Sequence, residues 1–349
     1  MAMRLTHTEF VDANGLTRAI YDVEQLVACT LTDKEAKSAS FLRNYLVCVQ
    51  AAYKPHALGK TLSLDCEYRQ RDGYGRTYCK APKGPNWAED QSSSVCVQGM
   101  PSILRPYLVG PLVHDIDIVN AHPTLLYQLA KFFHLWPENK GKSVTPLITS
   151  MLEELVNNRD NFLNYIASFH CLPEDNEMFH GYRKDMCKTL VLRILYGGSY
   201  LFWLKENGFG TYSVSKRIVA LEAEVCQLRM ALLASERYSE VVCREKARGV
   251  LSGKSDDAVS RSTFSKIAQQ LEHQVLSSMR DYLMCNGWTV HSLIFDGLTV
   301  GHDDNRNVGD VLSSMCEYIE LDTQFVVRIA EKPLFGVEPV LELQKVRVA

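Results

Sequence analysis

The stretch from His114 to Leu129, HDIDIVNAHPTLLYQL, limits what this chain can fold into more than any other. Leu112 to Val119 is a short run of β-type residues that carries Asp115 and Asp117. Side chains at i and i+2 of a strand share a face, so both acids point the same way. Asn120-Ala121-His122-Pro123 breaks that pattern, and Thr124 to Phe133 is apolar at helical spacing. Carboxylates among apolar neighbours are costly unless something compensates their charge. Mg²⁺ suits such a strand end, because it takes few carboxylates and completes its shell with water and phosphate oxygens. A solvated strand end with exposed acids is the simpler alternative, and the rest of the chain has to separate the two.

A length of 349 residues allows about two domains, or one large domain with an appendage. The net charge of −3 gives no global basic footprint, so any nucleic-acid surface must be local. The 11 cysteines are scattered and odd in number, without a CxxC pair. That usage fits free thiols in a reducing, intracellular compartment better than a disulfide framework. His170, Cys171, His180 and Cys187 are close in sequence, but their spacing matches no standard zinc pattern. The N-terminus has no signal-peptide core, and no apolar run approaches the ~18 residues of a membrane span, so no membrane partner is expected.

Apolar periodicity predicts helices over 10–28 and 35–53, with Thr32-Asp33 as a cap between them. A hairpin follows, from Thr61–Tyr68 and Arg76–Cys79 around a Gly-containing turn. Residues 81–94 read as a loop, and Ser102 to Leu108 as a helical turn carrying Arg105. Helices are expected over 145–157, 160–169, 180–197, 200–206, 214–236, 238–247 and 263–285, with a polar loop at 249–260. Residues 287–300 read as strand, tight turn and strand with Asp296 at the tip, 307–320 as helix and 323–329 as a closing strand. Strands and helices mix without a βαβ rhythm, which favours an α+β fold.

Two further positions carry chemistry. Lys184, Lys188, Leu192 and Tyr196 fall at i, i+4, i+8 and i+12 of one predicted helix, hence on one line. Two cations ending in an aromatic can grip a triphosphate at one end and a base at the other; a solvated charged face is the alternative. Asp296 stands at the tip of an apolar hairpin where Gly297 permits the turn, or is a simple turn aspartate. Two acids on strand tips can share two Mg²⁺ ions, and a basic helix can neutralise a triphosphate.

The order acid, basic helix, acid resembles family A (polymerase I-like) DNA polymerases and, more distantly, single-subunit phage-type RNA polymerases. The resemblance runs over about residues 70 to 335. Asp117 matches the family's first catalytic acid, with His122 where the family has Glu. Lys184, Lys188, Tyr196 and Gly197 match its second motif, with Lys in place of Arg. Ile294-Phe295-Asp296-Gly297 matches its third motif and keeps only the Asp. Tyr74-Gly75-Arg76, Val97-Gln98-Gly99-Met100-Pro101 and Arg105 resemble upstream motifs, and Gln269 or Gln270 a helix glutamine near primer and template.

What the resemblance implies is a right-hand palm with an antiparallel sheet. Residues 1–58 would form a helical, reduced thumb-like region, 59–135 the first palm part, 136–260 helical fingers and 261–349 the second palm part. The expected activity is template-dependent nucleic-acid polymerisation, with DNA as product, by two Mg²⁺ ions (or Mn²⁺) and without a proofreading exonuclease. The alternatives are a primase or RNA polymerase-like enzyme, and a catalytically degenerate nucleic-acid-binding palm. Asp117, Asp296 and the Ile118 carbonyl would hold the metals, with Asp115 as a substitute for the carboxylate missing at Gly297. Arg183, Lys184 and Lys188 would bind the dNTP or NTP, Lys188 also acting as general acid. Tyr196, His122 and Leu192 would surround the base and sugar, and the last two put sugar selectivity in question. Arg76, Gln98, Arg105 and Gln269 or Gln270 would touch primer–template DNA or other nucleic acid. A replication helicase or accessory factor is the expected protein partner.

Overall fold

A computed structural model describes residues 4–29, 32–56, 59–70, 73–80, 94–139, 144–174, 181–210, 214–303, 305–332 and 334. In chain order the elements are β1 (Arg4–Asp12), α1 (Ala13–Ala28), α2 (Asp33–Ala52), β2 (Lys54–Pro55), β3 (Thr61–Gln70), β4 (Thr77–Lys80), α3 (Arg105–Leu108) and β5 (Val113–Ile118). The helices α4 (Ala121–Phe132), α5 (Ser150–Asn157), α6 (Arg159–Phe169), α7 (Tyr182–Leu195), α8 (Tyr200–Glu206), α9 (Lys216–Ala234), α10 (Ser239–Leu251) and α11 (Asp256–Cys285) follow. The chain then forms β6 (Val290–Ile294), β7 (Gly297–Gly301), α12 (Leu312–Thr323) and β8 (Ile329–Lys332). Mixed helices and antiparallel strands bear out the α+β class.

Two compact units divide the chain: Met1–Val119 with His273–Ala349, and Asn120–Glu272. The first holds both sheets. One sheet is centred on β3, which pairs antiparallel with β1, β2 and β4. The other runs β6-β7-β5-β8, again antiparallel throughout. The expected helix over 10–28 and the all-helical character of 1–58 need correcting here. Residues 4–12 are a strand, with Thr6 and Thr8 exposed and Glu9 and Val11 buried. That period-two alternation places a glutamate, not an apolar residue, at an inward position, which hid it from a hydrophobicity reading. Asp12 then ends the strand and starts α1, its carboxylate accepting the Gly15 N–H at 2.8 Å. Thr32 caps α2 as expected, in a reciprocal capping box with Glu35.

Other boundaries moved. The loop expected at 249–260 is mostly helix, since α10 continues to Leu251 and α11 begins at Asp256. The closing strand lies at Ile329–Lys332 rather than 323–329, because α12 runs on to Thr323 and Gln324 takes a left-handed φ of 63° to end it. Residues 81–93 of the expected loop lie outside the described residues, as do 71 and 72 of the hairpin turn.

The second unit is helical. Its packing is anchored by Glu224 of α9, a buried acid whose carboxylate accepts the N–H groups of Met151 and Leu152 and the Ser150 hydroxyl. A carboxylate at a helix N-terminus satisfies donors that have no partner within the helix. His170 is consumed in the same way. Its Nε2 is 2.9 Å from the Tyr200 hydroxyl and its ring packs on Trp203 and Phe209, so it is a core histidine.

Candidate functional site: a carboxylate row on the second sheet

The register of β6-β7-β5-β8 places Ser292, Thr299, Asp115 and Lys332 side by side in one row, and Ile294, Gly297, Asp117 and Ala330 in the next. Directly paired residues point to the same face, so this face is polar at its centre. Ser292 and Thr299 bond to each other at 2.6 Å, both buried. Asp115 and Asp117 are each only 7% exposed.

Asp117 and Asp296 are brought together by the backbone. The hairpin between β6 and β7 turns on Phe295 and Asp296, and the Ile118 N–H donates to the Asp296 carbonyl at 3.0 Å. The left-handed residue of that turn is Phe295 (φ 52°), not Gly297 as its sequence position suggested. A bulky residue in that conformation is strained and is held only where its surroundings determine it. The Arg76 guanidinium lies 4.9 Å from the centre of the Phe295 ring, one of those surroundings.

Gly297 has a different reason to be glycine. A Cβ there would overlap Asp117 Oδ1 and stand 2.6 Å from the Ile116 carbonyl oxygen. The missing side chain is therefore the space the Asp117 carboxylate occupies. Asp117 Oδ2 is ion-paired with Lys332, whose side chain is 62% exposed. Asp115 Oδ1 is buried and has no hydrogen-bond partner among the described residues. Burial pushes the Asp115 carboxyl above its ordinary range, against the opposing pull of Lys332 and Arg105. Arg105, at the start of α3, is itself pushed down by burial, with its Nε unpartnered. Gln98 is spent structurally: its carbonyl accepts the Cys79 N–H at 2.9 Å, and its amide nitrogen donates to Thr77 and Leu293 carbonyls, each at 3.0 Å.

The acids at this end of the sheet are the donors a divalent cation would require. Asp117 and Asp296 sit on adjoining strand ends, the buried Asp115 oxygen is unsatisfied, and an exposed lysine already holds a positive charge at Asp117. The Ile118 N–H is used by Asp296, and its side chain is buried.

The second unit carries the other expected residues. Lys184 and Leu192 are exposed on α7, and Lys188 and Tyr196 half-buried, while Cys187, Leu190, Val191, Ile194 and Leu195 face the core. The cationic line is therefore a surface feature of the helix. Arg183 is partly taken up by the Leu172 carbonyl at 3.4 Å. His122 and Tyr196, singled out separately in the sequence, meet: His122 Nε2 is 2.8 Å from the Tyr196 hydroxyl and 2.6 Å from Glu272 Oε2. Glu272 is 0% exposed. Nothing in the sequence marked it, because it lies inside an otherwise ordinary helical period. Gln269 bonds to Ser265 on the same helix at 3.3 Å, and Gln270 is half-buried beside it.

No known family model matches the chain. It is similar to the "Putative helicase V13" of Sputnik virophage, 28% identical over 248 residues that cover 68% of this chain. The match takes in 27% of that relative, so this chain corresponds to a fraction of a longer protein. The relative is named for helicase activity. That finding corrects the expectation of a polymerase, of a primase or RNA polymerase-like enzyme, and of a degenerate palm derived from one. A P-loop is also absent from the sequence. The three Gly-Lys-Ser/Thr triplets, at 59–61, 141–143 and 253–255, have Lys54, Trp136 and Arg248 where the motif needs its first glycine. No helix among the described residues is long and apolar enough to cross a membrane.

Proposed function

We propose that this chain is a nucleic-acid-engaging enzyme unit of a helicase-type protein, and that Asp117 and Asp296 hold a divalent cation against a phosphate of bound nucleic acid or nucleotide. The observation that carries it is the Asp117–Gly297 packing beside the Asp296 turn, a carboxylate cradle that the fold makes room for. The relative named a helicase supports the nucleic-acid partner. The β6-β7-β5-β8 sheet, with acids at adjoining strand ends, is read as palm-like in form.

Mg²⁺, when bound, would neutralise phosphate charge and polarise a phosphoryl oxygen. The chain's own residues do the rest. Asp117 is fixed by Gly297 beneath it, Asp296 by the Ile118 N–H. Lys332, whose side chain is 62% exposed, can turn to solvent and leave Asp117 to the cation. Asp115 and Arg105 set the charge behind the site. Lys184 and Lys188 offer phosphate-binding cations on the surface of their own unit.

Anisotropy of a labelled single-stranded oligonucleotide and of a labelled nucleoside triphosphate, with and without Mg²⁺, tests this. Expected is binding of at least one, strengthened by Mg²⁺ and no longer metal-dependent in Asp117→Asn with Asp296→Asn. Binding of neither probe, or unchanged metal dependence in the double variant, would sink the reading.

A further inference from the structure

Away from the second sheet, the face of the β3-centred sheet gathers Glu9, Cys66 and Cys79, and Cys96 joins them from the segment that enters the Val97–Gly99 turn. Cross-strand pairs share a face, and the register aligns Glu9 with Leu64 and Cys79 with Tyr68, so Glu9, Cys66 and Cys79 project together. The donor atoms of Glu9, Cys79 and Cys96 all lie within 4.8 Å of one another. The Cys79 thiol is also in hydrogen-bonding contact with Cys66, and Cys66 with Glu9. Cys66 thus lies beside the Glu9–Cys79–Cys96 cluster on the same face of the sheet. Glu9 and Cys66 are 0% exposed and Cys96 1%.

Glu9 needs explaining. It is a fully buried carboxyl group to which three neutral groups donate: the Tyr68 hydroxyl, the Tyr53 hydroxyl at 3.1 Å and the Val97 N–H at 2.7 Å. A buried carboxylate without a cation is expensive. Glu9, Cys79 and Cys96 supply three mutually close donors and Cys66, on the same sheet face, a fourth; three thiols and one carboxylate are a ligand set for a closed, tetrahedral zinc site, with Zn–S of about 2.3 Å. Mg²⁺ and Ca²⁺ want oxygen ligands, and the carboxylate disfavours Cu(I). The net charge of such a site equals that of a four-cysteine zinc site. Tyr53, Tyr68 and the Val97 N–H already stand as the outer hydrogen bonds that orient a ligating carboxylate.

We infer that Glu9, Cys66, Cys79 and Cys96 form a structural zinc site that ties β1, β3 and β4 to the segment at residues 96–97. Binding releases the three thiol protons and forms Zn–S bonds without any change of oxidation state. The site is independent of the Asp117–Asp296 reading.

Metal analysis of the full chain, purified without chelator, tests it. Expected is one zinc per chain, and a thiolate-to-cobalt charge-transfer band when Co²⁺ replaces it. Cys79→Ser and Cys96→Ser should lose most of the metal, while Cys243→Ser, an exposed cysteine of the other unit, keeps it. Tyr53→Phe retains all four ligands and should weaken zinc binding about tenfold. A folded chain, verified by circular dichroism, that carries no zinc and gains no Co²⁺ band would overturn the assignment. So would a disulfide between Cys79 and Cys96 in the intact mass of freshly purified protein.

Discussion

The Asp117 carboxylate rests on the bare α-carbon of Gly297, its cross-strand partner, so that a single methyl group cannot be added there without moving one of them. The neighbours are a carboxylate and the Ile116 backbone carbonyl, and the backbone cannot give way without disturbing the β5–β7 ladder.

Gly297→Ala should therefore destabilise the chain by about 2 kcal/mol, in the range of core overpacking. Gly301→Ala, at the other end of β7, should cost less, because its added Cβ meets a side-chain atom, His291 Nε2, at 2.9 Å. Urea midpoints of the two variants make the comparison. Equal midpoints would mean that Asp117 moves aside freely.

In the proposed cation site, Lys332 would compete with the metal for Asp117. Its side chain is 62% exposed while that of Asp117 is 10% exposed, so the lysine reaches a buried carboxylate from the surface. Lys332→Met should raise Mn²⁺ affinity, measured by titration calorimetry, by at least about 1.4- to fivefold, the equivalent of the ~0.2–1 kcal/mol that even a solvent-exposed pair is worth. Weaker Mn²⁺ binding in this variant would place the metal elsewhere.

Acid should destabilise the first unit through its histidines. Burial pushes the His291 imidazole down to about 4 from an ordinary 6.5, with His302 and His7 adding like charge. The folded state thus refuses a proton that the unfolded chain accepts. The stability this represents is present above pH 6.5 and lost as pH falls toward 4, about 3 kcal/mol over that window. His7 and His302 are shifted the same way by burial and act in the same direction. His291→Gln should flatten this limb of a stability–pH curve, and an unchanged limb would show that His291 titrates normally.

In the second unit, the buried Glu272 depends on His122 and its 2.6 Å contact. His122→Ala removes a hydrogen-bond partner of a fully buried carboxyl group and should cost about 2 kcal/mol. Tyr196→Phe removes one hydrogen bond from the same histidine and should cost about 1 kcal/mol. Thermal melts rank the two, and the opposite ranking would make Tyr196 the main support of His122.

Much of the local structure was legible. The strand at 113–118, the hairpin around Asp296 and the helices α6 to α10 follow from periodicities of two and 3.6 residues, which need only near neighbours. The two acids and the Lys184–Lys188 line were found because charge stands out against such periodic apolar runs. The strand β1 was missed because its inward position at residue 9 is a glutamate, and the 249–260 helix ends because Gly, Ser and Asp there imitate a loop. The polymerase reading took motif order as evidence of activity. The virophage relative, named a helicase, corrects it.

By itself the sequence determined most of the helices and the strands around Asp117 and Asp296, and which residues bear charge at their ends, but not β1 or the ends of α10 and α11. Partners were left to the tertiary structure. The reason Gly297 must be glycine, the lysine at Asp117, the burial of Glu272 under His122, and the meeting of Glu9 with Cys66, Cys79 and Cys96 are all contacts between separate elements. A strand's own pattern says which face a side chain takes. Only register and packing say what stands opposite, because those depend on how residues far apart in the chain are brought into contact.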